Sequence, residues 1–216
     1  LEGLSAARLC RCKSCPAHFR LIIMEYLTSS LLTLDTRVVD FFFWFRNAEL
    51  VSFFTWVTLL GEWQVVVIGA VAVSLLFWLW PRRIYIAPLW IAIASSELFT
   101  FLAKLAIHRP RPELAYYLEN GFSFPSGHAT VAVAFYGFLA YLLFREAKNW
   151  GQKVSIVFGG LLIILAIGLS RLYLGVHYLS DVGGGYLSGL LGLIIGVALL
   201  KLCFTPKKGI GEQPKP

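Results

Sequence analysis

The chain of 216 residues is 58% apolar and 14% charged, against about 45–50% and about 25% in an ordinary soluble domain. A soluble fold of this size needs more polar surface than 19 basic and 12 acidic side chains supply, and 19 Gly, 9 Pro and 4 Cys are too few for a collagen-like or disulfide-stapled chain. The net charge of +7 raises nucleic acid as a partner, but so apolar a chain offers no basic face to a phosphate backbone, which leaves the bilayer as solvent.

Residues 1–37 form a basic N-terminal segment. The chain begins at Leu1 with no recognisable cleavable signal, so a processed chain or the later part of a longer protein is expected. Cys10, Cys12 and Cys15 lack a second Cys or His pair at finger spacing, so no metal site is expected there. Leu21 to Leu34 is short for a span and carries Glu25, which leaves a sixth, N-terminal span open. Val38 to Leu60 mixes Phe and Trp with Asp40, Arg46 and Glu49, which suits one or two helices lying in the interface before a break at Gly61.

Five stretches then approach the about 20 apolar residues that a hydrocarbon layer needs: Trp63 to Trp80, Ile84 to Ile107, His128 to Phe144, Val154 to Leu169 and Val182 to Leu200. They lack the alternation of a membrane barrel, so an all-α, polytopic helical bundle is expected, its membrane domain covering residues 38–204 and followed by a tail, 205–216. Gly185, Gly189, Gly192 and Gly196 give the last stretch a small-residue face, read as internal packing.

Orientation follows from the short connectors, since Lys and Arg are retained on the cytoplasmic side. Arg82 and Arg83, then Arg145, Lys148 and Lys153, then Lys201, Lys207, Lys208 and Lys215 all fall on one side of a five-span zigzag. With Glu146 and Glu212 they account for the whole net charge of +7. That side is expected to be cytoplasmic, with the C-terminus, and the protein to lie in the cell (inner) membrane.

Three clusters gather on the opposite, extracytoplasmic face. Lys104-x6-Arg111-Pro112 closes the second stretch, and an ordinary helix end with snorkelling cations would look similar. Pro125-Ser126-Gly127-His128 opens the third. Read plainly it is an N-cap by Ser126; read chemically it presents free backbone N–H groups at the positive end of a helix dipole, an anion site. Ser170-Arg171-x5-His177-x3-Asp181 precedes the fifth. If His177 and Asp181 share a helix they are an i, i+4 pair in which the carboxylate accepts one imidazole N–H and frees the other nitrogen.

In this order the three clusters resemble, without a mismatch, the signature of the type 2 phosphatidic acid phosphatase (PAP2) superfamily. The resemblance implies a metal-independent phosphoric ester or diphosphate hydrolase with no cofactor. His177 would be the nucleophile that forms a phosphohistidine, Asp181 its orienting partner, and His128 the acid for the leaving oxygen and later the base for water. Lys104, Arg111 and Arg171, with Ser126 and the N–H of Gly127, would hold the phosphate. Arg109 also precedes a proline, and the motif spacing favours Arg111. His108 is read as an interfacial side chain. Glu97, inside the second stretch, is read as structural, satisfied by Ser95, Ser96 and Thr100.

The substrates implied are lipid phosphates among the membrane lipids: phosphatidic acid, phosphatidylglycerol phosphate, undecaprenyl diphosphate or lipid A phosphates. The loop from Glu113 to Phe124, with Tyr116, Tyr117 and Glu119, is expected to shape access. Two rivals remain open. Vanadate haloperoxidases share such a constellation, but resemble soluble proteins. A transporter or lipid-binding module would use the basic cluster as a headgroup anchor.

Overall fold

The computed structural model describes residues 16–204, with side chains from 30 to 203. Seven α-helices make up the described residues: α1 (Pro16–Trp44), α2 (Ala48–Leu59), α3 (Trp63–Leu79), α4 (Ile86–Ile107), α5 (Gly127–Glu146), α6 (Trp150–Tyr173) and α7 (Leu179–Phe204). No strand occurs among them, as the unbroken apolar runs require. The motifs at Cys10, Cys12 and Cys15 and the tail cations Lys207, Lys208 and Lys215 lie outside the described residues.

Several helix boundaries fall where the sequence supplies a local reason. Asn47 starts α2 by accepting a hydrogen bond from the Leu50 amide at 2.8 Å, and Asn149 starts α6 by accepting from that of Gln152 at 2.9 Å. Pro81 follows the end of α3, while His108 closes α4 in the left-handed region, at φ 50°, ahead of Pro110 and Pro112. Pro88 is tolerated within α4 because it falls in the first turn, where the missing N–H has no intrahelical acceptor.

Four helices are long and apolar enough to cross a membrane: Arg83–Ile107, Gly127–Glu146, Trp150–Tyr173 and Leu179–Cys203. The fifth expected stretch departs from its simple form. The helix from Trp63 has 17 residues and qualifies only together with α2, across a break with a 44° bend. The N-terminal region also differs from expectation. Leu21–Leu34 is not a separate short element, because α1 runs unbroken for 29 residues, about 44 Å at 1.5 Å per residue, and takes in residues 38–44 that looked interfacial.

The packing is inside-out relative to a soluble protein only at its surface. Leu89, Ala92, Ala134, Phe138 and Leu200 are buried where α4, α5 and α7 meet, while Leu98, Phe101, Leu165 and Ile194 point outward. Since lipid offers helices no hydrophobic reason to associate, close backbone approach carries the packing. The small-residue face of α7 supplies it. Gly185 and Gly189 lie on α5, and Gly192 and Gly196 on α4, where a Cβ at Gly192 would sit 2.5 Å from the Ala92 carbonyl oxygen and 2.8 Å from the Ser96 amide. Gly192→Ala is therefore expected to cost about 1–3 kcal/mol through forced separation of α4 and α7. Thermal unfolding in detergent checks this, with Gly183→Ala, which meets nothing within 4 Å, as the unaffected control.

Candidate active site

The site lies where the ends of α4 and α6 meet the starts of α5 and α7. Arg171, in the last turn of α6, has a fully buried side chain. A guanidinium at such a place must find acceptors, and it does. Nη1 donates to Thr58 Oγ1 and to Tyr117 Oη, both at 2.8 Å, and Nη2 donates to Glu119 Oε1. Thr58 belongs to the last turn of α2, so the break between α2 and α3 is seated on this arginine.

After Tyr173 the chain reverses at Gly175, whose φ of +70° suits glycine, and whose Cβ position lies against Leu114 O and the Arg46 side chain. The turn delivers His177 just before α7. The expectation that His177 and Asp181 share a helix is corrected here: α7 begins at Leu179. Asp181 reaches back instead, Oδ2 accepting the Tyr178 amide at 2.9 Å in the manner of a helix cap. This leaves His177 Nδ1 3.4 Å from Asp181 Oδ2, buried and without a hydrogen bond, while Nε2 lies 3.2 Å from Arg111 Nη1. Burial draws the imidazole pKa down to about 4; Asp181 opposes that, and the charges of Arg171 and Arg111 add to it. At neutral pH His177 is therefore uncharged, the state a nucleophile needs.

Ser126 stands at the cap position of α5, its amide donating to the Asp181 carbonyl at 2.9 Å, so the starts of α5 and α7 are tied together. The expected capping by its side chain is corrected: Ser126 Oγ makes no cap hydrogen bond and is buried without a partner. Gly127 has open space beside it, so the first amides of α5 face a clear approach. His128 Nε2 lies 2.8 Å from Glu62 Oε2 and 3.4 Å from Arg171 Nη1.

The loop between α4 and α5 closes the site. Lys104 Nζ donates to the Phe122 carbonyl at 2.6 Å, and Arg111 Nη1 donates to the Val176 carbonyl at 3.0 Å. Glu119, expected only to shape access, enters the cationic cluster. Oε1 pairs with Arg171, Oε2 lies 2.7 Å from Arg111 Nη1, and Oε2 is 4.0 Å from His177 Nε2. Burial on its own would raise the Glu119 pKa, but the charge and hydrogen bond of Arg171, then Arg111 and His177, outweigh it and hold the carboxyl at about 2. A carboxylate thus occupies a seat made by two arginines beside His177, with Ser126 Oγ and Arg171 Nε buried and unpartnered.

All eight residues singled out in the three clusters come to this end of the bundle. Arg111 rather than Arg109 faces His177; Arg109 turns to the other side of Asp181, with Nη1 2.7 Å from Oδ1. Exposed His108 packs edge-on against Phe122. Ser95, Ser96 and Thr100 do not satisfy Glu97, contrary to expectation: their hydroxyls bond to Ile91 O, Ile93 O and Thr130 Oγ1. Thr58, Glu62 and Asp35 carried no local signal in the sequence.

A family model described as the PAP2 superfamily matches residues 85–205. The chain is 36% identical over 104 residues to phosphatidylglycerophosphatase B of Bacillus subtilis, covering 47% of this chain and 51% of that protein. It is 32% identical over 136 residues to the putative undecaprenyl-diphosphatase YbjG of Escherichia coli, covering 56% and 61%. The chain thus spans between half and two thirds of the length of these relatives. Among solved structures it resembles a transmembrane PAP2 type phosphatidylglycerolphosphate phosphatase from Bacillus subtilis, with a TM-score of 0.74, 27% identity and coverage of 88% and 94%. It also resembles Aquifex aeolicus LpxE, with a TM-score of 0.59, 25% identity and coverage of 78% and 95%. Motif order, helical bundle and family match agree: the chain is a multi-pass membrane protein of the PAP2 superfamily.

Proposed function

We propose that this protein is a membrane lipid phosphate phosphatase that works through a phosphohistidine on His177. The observation that carries the reading is the anion seat: Arg111 and Arg171 already grip a carboxylate beside Nε2 of a neutral, buried histidine. Phosphate fits this seat better than carboxylate does, since it offers more oxygens to the same forks and can also take Ser126 Oγ and the Gly127 amide.

With the proton on Nδ1, toward Asp181, His177 Nε2 attacks phosphorus and the bond to the leaving oxygen breaks. His128 supplies the proton that oxygen needs. In the second step water attacks the phosphohistidine, its proton passes to His128, and the nitrogen–phosphorus bond breaks to release phosphate. Lys104, Arg111 and Arg171 spread the charge that develops on the equatorial oxygens, the part a divalent cation plays elsewhere. Glu62, against His128 Nε2, supplies a counter-charge for its protonated form.

The site opens at one end of an apolar bundle, which suits a phosphate whose tail stays in the bilayer. The basic connectors support placing this end on the extracytoplasmic side of the cell membrane, with the C-terminus cytoplasmic. The names of the relatives favour phosphatidylglycerol phosphate and undecaprenyl diphosphate, with phosphatidic acid as the simplest monoester of the class.

The purified full chain in liposomes, offered these three lipids, is expected to release phosphate from at least one, to keep that activity in excess EDTA, and to lose it in His177→Gln. Intact lipid phosphate throughout would favour a lipid-binding module or transporter instead. Glu119→Gln removes the carboxylate that competes for the seat. Inhibition by inorganic phosphate or vanadate should tighten about tenfold, the scale of one charge-assisted hydrogen bond; weaker inhibition would show that Glu119 helps to hold the substrate.

A further inference from the structure

Arg109 lies two residues before Arg111, but its side chain serves neither phosphate nor loop. Its guanidinium faces away from the seat, Nη1 donating to Asp181 Oδ1 at 2.7 Å and to Ser180 Oγ at 2.6 Å, and Nη2 to Asp35 Oδ2 at 2.7 Å. The Tyr178 ring stacks on it, 4.1 Å from Cζ to the centroid. Asp35, in α1, is only 3% exposed, and both its oxygens are used. Oδ1 accepts the Ser180 amide at 2.9 Å, and Oδ2 accepts the Ser180 hydroxyl at 2.5 Å as well as Arg109.

We propose that Arg109 and Asp35 are positioning residues for the His177–Asp181 pair, in which Arg109 draws off part of the Asp181 charge and Asp35 limits how much. The catalytic consequence rests on the reading of His177 as nucleophile; the electrostatic coupling does not. The four groups form one line, in which Asp35, Arg109 and Asp181 alternate in charge and lead to the neutral His177, and every carboxylate oxygen in it is occupied. Asp181 alone, with its full charge on the imidazole, would favour the imidazolium and remove the lone pair that attacks phosphorus. An Arg109 free of Asp35 would neutralise Asp181 too far and withdraw support from the imidazolium that forms as Nε2 bonds to phosphorus. Arg109 held between two carboxylates sits between these extremes.

The rest of the surroundings of His177 are common to both cases. Arg111 and Glu119 face it from the loop, Arg171 from α6 and His128 from α5. Substitutions at Arg109 and Asp35 change only the far side of Asp181. They should therefore move the imidazole in opposite senses, which a staple merely fastening α1 to α7 would not do.

The full chain has four histidines, so histidine labelled with carbon-13 at Cε1 gives few signals by NMR in detergent micelles, and His177→Gln assigns the one needed. The wild-type His177 signal should titrate near pH 4. Arg109→Gln should raise that midpoint by about one unit, the lower end of what a charge beside a carboxylate commands. Asp35→Asn, which keeps the shape and the acceptor for Ser180, should lower it, and Arg109→Lys should restore most of the wild-type value. In a turnover assay the pH at which kcat falls on acidification should rise with that midpoint in Arg109→Gln, with KM at neutral pH within about twofold, because Arg109 does not touch the substrate. An unmoved midpoint in Asp35→Asn, or movement of Arg109→Gln and Asp35→Asn in the same sense, overturns the proposal; if Arg109→Gln does not fold, Asp35→Asn decides it alone. Opposed shifts in a protein that releases no phosphate would uphold the coupling and sink the phosphatase reading.

Discussion

A guanidinium without exposed surface sits at one end of an otherwise apolar bundle, and the arrangement around it follows from the need to satisfy it. An unpaired charge at that depth would cost several kcal/mol, more than most single contacts return. Arg171 therefore draws in Thr58 from α2, Tyr117 and Glu119 from the loop, and stands beside His128 at the start of α5. Elements that share no sequence neighbourhood are held at one place because each contributes an acceptor. The α2–α3 break and the loop between α4 and α5 are both positioned by that demand. The same demand makes the site an anion site, since a cation cluster with fixed donors binds negative charge whether the protein or a substrate supplies it.

Helix packing serves the same end from the other direction. The glycines of α7 bring its backbone against α5 and α4, and at the site end of that contact the Ser126 amide bonds to the Asp181 carbonyl. Two helix starts are thereby set side by side, one carrying His128 and the other preceded by His177. The nucleophile and the acid of the proposed reaction are placed by the closeness of two backbones, which only small residues permit. A rigid scaffold of this kind suits phosphoryl transfer, where positioning and fixed charge do most of the work.

Much of the site was legible because its chemistry is local. Lys104 with Arg111, Ser126 with His128, and Arg171 with His177 and Asp181 each fall within one short segment, and their order together carries the family resemblance. The apolar runs marked the four spanning helices for the same reason, since length and composition are properties of a segment. What sequence could not show was long-range pairing. Asp35 reaches Arg109 across 74 positions and Glu62 reaches His128 across 66, and neither carboxylate stands in a motif. The side chain of Ser126 looked like a cap because Ser usually caps; in the structure it is withheld from that bond and left buried without a partner. The His177–Asp181 spacing suggested one helix, but the cap that Asp181 provides to Tyr178 ends the helix before it reaches the histidine. Glu119 looked like a loop residue because one of its partners, Arg171, lies 52 positions away, although the other, Arg111, belongs to the same loop. In the N-terminal part, Glu25 made Leu21 to Leu34 look short of a span and Asp40 suggested an interfacial helix, whereas α1 runs on through both and carries Asp35, which pairs with Arg109 within the fold.

The central claim is that phosphate passes through a covalent bond to His177. Rapid acid-free quenching of the full chain during turnover of a lipid phosphate labelled with phosphorus-32, followed by peptide mapping under alkaline conditions, tests it most directly. The account predicts label on the peptide containing His177, stable to base and released by acid. Label on the His128 peptide would reverse the two roles. Turnover with no labelled protein at any time would contradict the covalent route.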